Sequence, residues 1–256
     1  MRKTALFLSI LALASACSDD SDNQDLDAPV ILSATLNGED HDLEFNAGDA
    51  ISLAVEASDN EALGQIKLDL HDVFDGHSHG KVASTWTLSE VHDLSGTQTT
   101  FTETLQAPDP VTAGPYHLVL RLLDAAGNES EFAELDFVLR NGSEPQISIT
   151  DPDFSQGFQI AKGQSFNLTG SITDNIDLAE IVIQVRKETE HSHKSYSSTI
   201  FSFDKDLDGS SDLSFDLGSL SISIPSSAEI GHYELYFSAK DSEGNCGIYT
   251  AEIEVI

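Results

Sequence analysis

Basic residues are scarce. The 256-residue chain carries 12 Lys and Arg against 44 Asp and Glu, a formal net charge of −32. So anionic a surface repels phosphate backbones and anionic headgroups, which excludes nucleic acid as a partner and draws cations towards the protein. Cysteine is rarer still, with only Cys17 and Cys246. Two cysteines cannot build a disulfide framework, so the fold must rest on packed apolar cores. There is one Trp, Trp86, expected in or beside a core. The signatures of phosphate-binding Gly loops, catalytic cysteines and His-Glu-x-x-His metalloproteases are missing too. The expectation is a protein that is not an enzyme.

What is present begins at the N-terminus. Met1-Arg2-Lys3 is a short basic start, and Thr4 to Leu13 is an apolar run too short to span a bilayer. Leu13-Ala-Ser-Ala-Cys17 follows. This order resembles the signal peptide and lipobox of bacterial lipoproteins, which implies cleavage before Cys17 and lipidation of its sulfur. Residues 1–16 are then a signal peptide and 17–27 an acidic flexible tether. The acidic run is similar to the export signal of surface lipoproteins in some Gram-negative bacteria. The resemblance implies a cell-envelope protein lipid-anchored to the outer membrane through Cys17, on the periplasmic or external face. Cys246, left without an intramolecular partner, is expected to be a buried small apolar residue.

The rest of the chain repeats itself. AGDAISLAVEASDNEALGQIKLDL from Ala47 aligns with AKGQSFNLTGSITDNIDLAEIVIQV from Ala161, and GPYHLVLRLLDAAGN from Gly114 with GHYELYFSAKDSEGN from Gly231. Two homologous domains follow, 28–140 and 144–256, joined by the polar Arg140 to Pro145 segment. Each half reads as short strands. Ile66, Leu68, Leu70 and Tyr116, Leu118, Leu120, Leu122 alternate with outward residues, the pattern of strands with one buried face. About seven such strands per half, with no helical periodicity, predict an all-β fold of two tandem immunoglobulin-like β-sandwich domains.

Histidine is concentrated in the first half. His71, His77 and His79 lie in HDVFDGHSHG, and His117 in GPYH. Alternation puts His71 and His117 on outer faces of two strands that pair in an Ig-like sheet, where opposite residues lie about 5 Å apart. His77 and His79 follow in a loop that can fold over that face, and Asp75 can add a carboxylate. His71, His77, His79 and His117 are therefore a candidate site for Zn or Cu, the metals that suit imidazole. The bland alternative is a set of solvated loop histidines. In the second half the same register places Arg186 and Glu234 where the first has His71 and His117. A weaker second site of His191, His193, His232 and Glu234 would face opposition from Arg186.

The pattern resembles a domain-of-unknown-function family of bacterial cell-envelope lipoproteins with Ig-like repeats, in which a His-rich loop follows one strand and a Gly-x-Tyr-His strand comes later. The resemblance implies an extracytoplasmic, metal-handling module. A separate stretch, DKDLDGSSD, places Asp204, Asp206, Asp208 and Asp212 at the spacing of calcium loops, although position twelve is Phe215 rather than Glu and an acidic hairpin turn is the favoured reading. The leading expectation is transition-metal binding for sequestration, delivery to an outer-membrane transporter, or structural closure. The rival is a structural or adhesive surface module that binds protein or a surface glycan without metal.

Overall fold

A computed structural model of the chain describes residues 25–73, 85–188, 196–207 and 211–256. The first domain has eight strands: β1 (Val30–Leu36), β2 (Leu43–Asn46), β3 (Ala50–Ser58), β4 (Leu63–Asp72), β5 (Leu88–Asp93), β6 (Gln98–Gln106), β7 (Gly114–Asp124) and β8 (Ala133–Arg140). They form a three-stranded sheet, β1-β3-β6, and a five-stranded sheet, β2-β8-β7-β4-β5. Pairing is antiparallel except between β2 and β8. Alternation dictates the packing. Ile51, Leu53 and Val55 on one sheet and Ile66, Leu68, Leu118 and Leu120 on the other bury completely into one core. Each such side chain contributes about 1.5–3 kcal/mol of transfer free energy, which offsets chain entropy without a disulfide.

The second domain repeats the plan with β9 (Gln146–Asp151), β10 (Phe158–Ile160), β11 (Ser165–Asn167), β12 (Thr169–Thr173), β13 (Glu180–Glu188), β14 (Tyr196–Asp206), β15 (Ser214–Asp216), β16 (Ser221–Ser223), β17 (Gly231–Lys240) and β18 (Cys246–Val255). Its sheets are β15-β12-β9 and β10-β18-β17-β13-β14, with a short β11-β16 pair beside them. A second core of Ile181, Ile183, Leu235, Phe237 and Ile253 fills it. Among the described residues the one helical element is a 3-10 turn, Leu217–Ser219. No helix among them is long and apolar enough to cross a membrane. The strand count exceeds seven because the opening strand of each domain switches sheets, giving β1 and β2, then β9 and β10. Gly170 marks a further break. Register shifts there, and a Cβ would meet the Ser148 carbonyl oxygen at 2.0 Å.

Both domains carry the tyrosine corner of Ig-like sandwiches. The buried Tyr116 hydroxyl donates to the Thr112 carbonyl at 2.8 Å, and Tyr233 donates to Glu229 at 2.9 Å. Burial pushes the Tyr116 phenol up to about 12. Trp86 is in the core, edge-on to Phe137 at 6.1 Å. Between the domains, Asn245 Oδ1 accepts from Ala113 N at 3.1 Å and from Asn141 Nδ2 at 2.7 Å, and Cys246 N donates to Ala113 O at 2.9 Å. Cys246 itself is buried, with Ser238 Oγ at 3.1 Å from its sulfur.

Candidate metal centre

The site begins with register. In the β4–β7 pair, His71 stands directly opposite His117, and in the β7–β8 pair His117 stands opposite Asp136. The flanking Leu70, Tyr116, Leu118, Leu135 and Phe137 are buried, so all three polar residues point to the other face. The result is a row, His71–His117–Asp136, across three neighbouring strands. The two imidazole centroids are 5.9 Å apart, tilted by 39°.

Glu134, two residues before Asp136, completes the arrangement. His117 Nδ1 lies 2.5 Å from Glu134 Oε1, and His117 Nε2 lies 3.3 Å from Asp136 Oδ1. An ionised carboxylate only accepts, so the short contact assigns the Nδ1 proton to His117 as donor. In the neutral ring Nε2 then presents its lone pair to a second carboxylate. Two acceptors facing each other at that distance require a proton or a cation between them. A carboxylate that fixes the tautomer of a histidine whose other nitrogen faces outward is the usual support of a metal-ligating imidazole. One ligand atom each from His117, Glu134 and Asp136 lies within 4.8 Å of the others. The side chains are partly open, with 26% of His117 and 38% of Asp136 exposed.

His71 and His117 are thus brought together, whereas His77, His79 and Asp75 lie outside the described residues. Sequence reasoning missed Glu134 and Asp136. The signal was present in AELDFVLR, where Leu135, Phe137 and Leu139 alternate with them, but it needed the β7–β8 register. The letters Gly76-His77-Ser78-His79-Gly80 do spell the Gly-x-Ser-x-Gly pattern, in a segment outside the described residues. A nucleophile elbow needs a strand-to-helix turn on an α/β sheet, and the described residues form no such sheet.

In the second domain Arg186 stands opposite Glu234, and Glu234 opposite Glu252. Arg186 forms an ion pair with Glu234 and lies over the Tyr236 ring at 3.8 Å. His232 pairs with Glu252 through Nδ1. His191 and His193 lie outside the described residues. The DKDLDGSSD stretch is described only in part. Asp204 and Asp206 belong to strand β14, opposite Val182 and Glu180, because the hydrophobic alternation of Phe201 and Phe203 carries the strand on to Asp206. Asp208 lies outside the described residues, and the Asp212 carbonyl accepts from Leu178 N.

A cavity of about 560 Å³ adjoins the centre, lined by His117, Asp136 and Arg140 of the first domain and Arg186, Tyr236 and Tyr249 of the second. No curated protein matches the chain. Among solved structures, the chain is similar to the fibronectin(III)-like modules of CbhA from Clostridium thermocellum, at 11% identity and a TM-score of 0.27, over 88% of this chain and 93% of that one. It is similar to a tetra-tandem repeat in the extending region of a large adhesion protein, at 15% identity and a TM-score of 0.35, over 90% of this chain and 50% of that one. It is also similar to SGBP-B of the Bacteroides ovatus mixed-linkage glucan utilization locus, in complex with a mixed-linkage heptasaccharide. There the identity is 13% and the TM-score 0.26, over 90% of this chain and 48% of that one. Residues 15–139 and then 133–256 match the family described as a domain of unknown function (DUF4625), and the chain, with one copy in each half, belongs to that family.

Proposed function

We propose that the protein is a lipid-anchored, outer-membrane cell-envelope module whose first domain binds Zn or Cu. His71, His117 through Nε2, and Asp136 are the ligands on the sheet, Glu134 orients His117, and His77 and His79 come from the loop after β4. The observation that carries this reading is the His117 ring, engaged by one carboxylate at Nδ1 while a second lies 3.3 Å from Nε2. Ligation by several protein groups leaves little room for an open catalytic position, which suits sequestration, delivery to an outer-membrane transporter or structural closure. Anchoring through Cys17 keeps such a store at the envelope. The test is metal content and calorimetric titration of untagged protein. Wild type takes up one equivalent of Zn²⁺ or Cu²⁺, and His71→Ala/His117→Ala loses at least about 100-fold in affinity, since truncating even a supporting group costs 10–100-fold. Acidification releases the metal, because imidazole must shed its proton to bind. Wild type that takes up neither ion sinks the reading.

A second reading is a surface module that binds protein or glycan without metal. The cavity between the domains favours it, because aromatic Tyr236 and Tyr249 line it together with charged groups. Glycan binding that persists unchanged in His71→Ala/His117→Ala, with no metal bound, selects this reading.

A further inference from the structure

A groove of about 840 Å³ runs along the side of the first domain, between β1 and the first half of β8. Backbone topology opens it. β1 ends its sheet, and β2 joins β8 only from Phe137 onwards, so among the described residues no strand pairs with the outer edge of residues 133–136. Three large apolar side chains stand exposed along the groove: Val30 at 52%, Leu32 at 56% and Phe132 at 45%. Leu32 is the extra residue of a bulge between Ile31 and Ser33. Clustered apolar exposure beside an open strand edge marks an interaction surface. The lining has six carboxylates and one histidine, and no lysine or arginine. The cavity between the domains, by contrast, sets Arg140 and Arg186 among its acids.

The second domain shows what such an edge takes. Lys240 stands opposite Cys246 as Leu123 stands opposite Glu129, so Cys246 is the counterpart of Glu129. Cys246 N donates to the carbonyl of Ala113, a residue of the first domain. Ile248 is the counterpart of Phe132, since Leu120 is opposite Ala133 and Phe237 opposite Tyr249, and it lines the cavity that the first domain helps to wall. There the edge meets polypeptide. In the first domain Glu129 and Phe132 line the open groove instead. The apolar residues differ as well: Gln146 stands where the first domain has Val30, and β9 has no counterpart of Leu32.

We propose that this groove docks an extended protein segment that carries Lys or Arg beside apolar residues and adds a strand along β8. Backbone pairing at an open edge supplies affinity, and side-chain contacts supply the choice of sequence. Val30, Leu32 and Phe132 meet the apolar side chains of the segment, and Asp42 and Glu131 meet its cations. The Arg121 guanidinium, paired with Glu129, already lies over the Phe132 ring at 5.8 Å, which shows that a cation is accommodated beside it. A second copy of the chain brings another charge of −32 and is repelled, as is an anionic lipid surface. The groove borders the imidazole centre through Glu134 and Asp136, so the test leaves those residues and the metal out.

Titration of the full chain, with chelator present, against a blocked seven-residue peptide alternating valine and lysine tests the proposal, with a valine–glutamate peptide as control. The lysine peptide is expected to bind with a Kd below about 1 mM and to slow hydrogen exchange within residues 133–136. The glutamate peptide is expected to do neither. Leu32→Ser/Phe132→Ser, both exposed, is expected to weaken binding at least about 10-fold, because the apolar area left to cover is lost. Asp42→Asn/Glu131→Gln is expected to weaken it about 2–10-fold, the range for exposed ion pairs. Undiminished binding by Leu32→Ser/Phe132→Ser means a diffuse attraction to an acidic protein and overturns the proposal. Absence of binding at millimolar peptide overturns it too. So does protection of residues 133–136 by phosphatidylcholine vesicles, or by raised protein concentration, in place of the peptide.

Discussion

The two domains share a scaffold and differ on one face. Across the same three strands, the first has His71–His117–Asp136 and the second has Arg186–Glu234–Glu252. Each row contains acceptors that repel one another unless a cation is near. The second domain supplies that cation covalently. The Arg186 guanidinium pairs with Glu234 and stacks on Tyr236, with the two side chains of the pair only 15% and 7% exposed. The first domain has no arginine in its row and presents imidazole nitrogens instead. The second face thus balances its buried carboxylate with a built-in guanidinium, and the bound ion we propose would do the same for the first.

The largest effect should come from removing the built-in cation. Arg186→Ala leaves the Glu234 carboxylate buried without its partner, and breaking a buried pair from one side costs about 3–5 kcal/mol. Chemical denaturation of the full chain should show the transition of the second domain moving to lower denaturant while that of the first stays in place. In metal-free protein His117→Ala should move the first domain far less, since its row is more open. Equal losses in both domains would mean that the first row already holds its own charge balance and needs no ion.

A smaller effect isolates Glu134. Glu134→Gln keeps the shape and removes the anion that holds the His117 Nδ1 proton. Zn²⁺ affinity should fall about 10–100-fold, the usual cost of losing an orienting carboxylate, while stability of the metal-free protein changes little. If affinity instead vanishes, as it would on loss of a ligand, Glu134 binds the ion directly and the assignment of Nδ1 as donor is wrong.

The sandwich was legible because its strands obey a two-residue period. The buried set Tyr116, Leu118, Leu120 and Leu122 is visible in the letters, and with it the outward direction of His117. Pairing of β4 with β7 follows from Ig-like order, so the meeting of His71 with His117 was within reach. Glu134 and Asp136 were not, because a charged residue on an outer strand face is ordinary until the neighbouring strand and its register are known. Asp25 was hidden for a different reason. In sequence it belongs to an acidic run that reads as tether, yet it is buried, held by Asn60 and by a bond from Asn128 to its carbonyl. Local composition describes what a segment is made of. It does not reveal that a turn more than 100 residues away will dock on it.

The smallest effect tests the premise beneath the comparison, that the two scaffolds are the same. Tyr116 and Tyr233 each donate a hydroxyl hydrogen bond to the carbonyl four residues upstream, at 2.8 and 2.9 Å. Both rings are buried, at 0% and 1% exposure. Tyr116→Phe and Tyr233→Phe remove the oxygen and leave the ring packing intact. Each should cost about 1 kcal/mol, the net value of one such bond, with an added penalty for the carbonyl left behind. Tyr116 should cost slightly more, because its oxygen also accepts from the Trp86 backbone N–H at 3.4 Å. Two similar losses, each confined to its own domain's transition, place the divergence of the halves on the outer face alone. A Tyr116→Phe loss several times that of Tyr233→Phe would mean that the first domain's corner also braces the segment around Trp86, the chain that leads back from the histidine loop to the sheet.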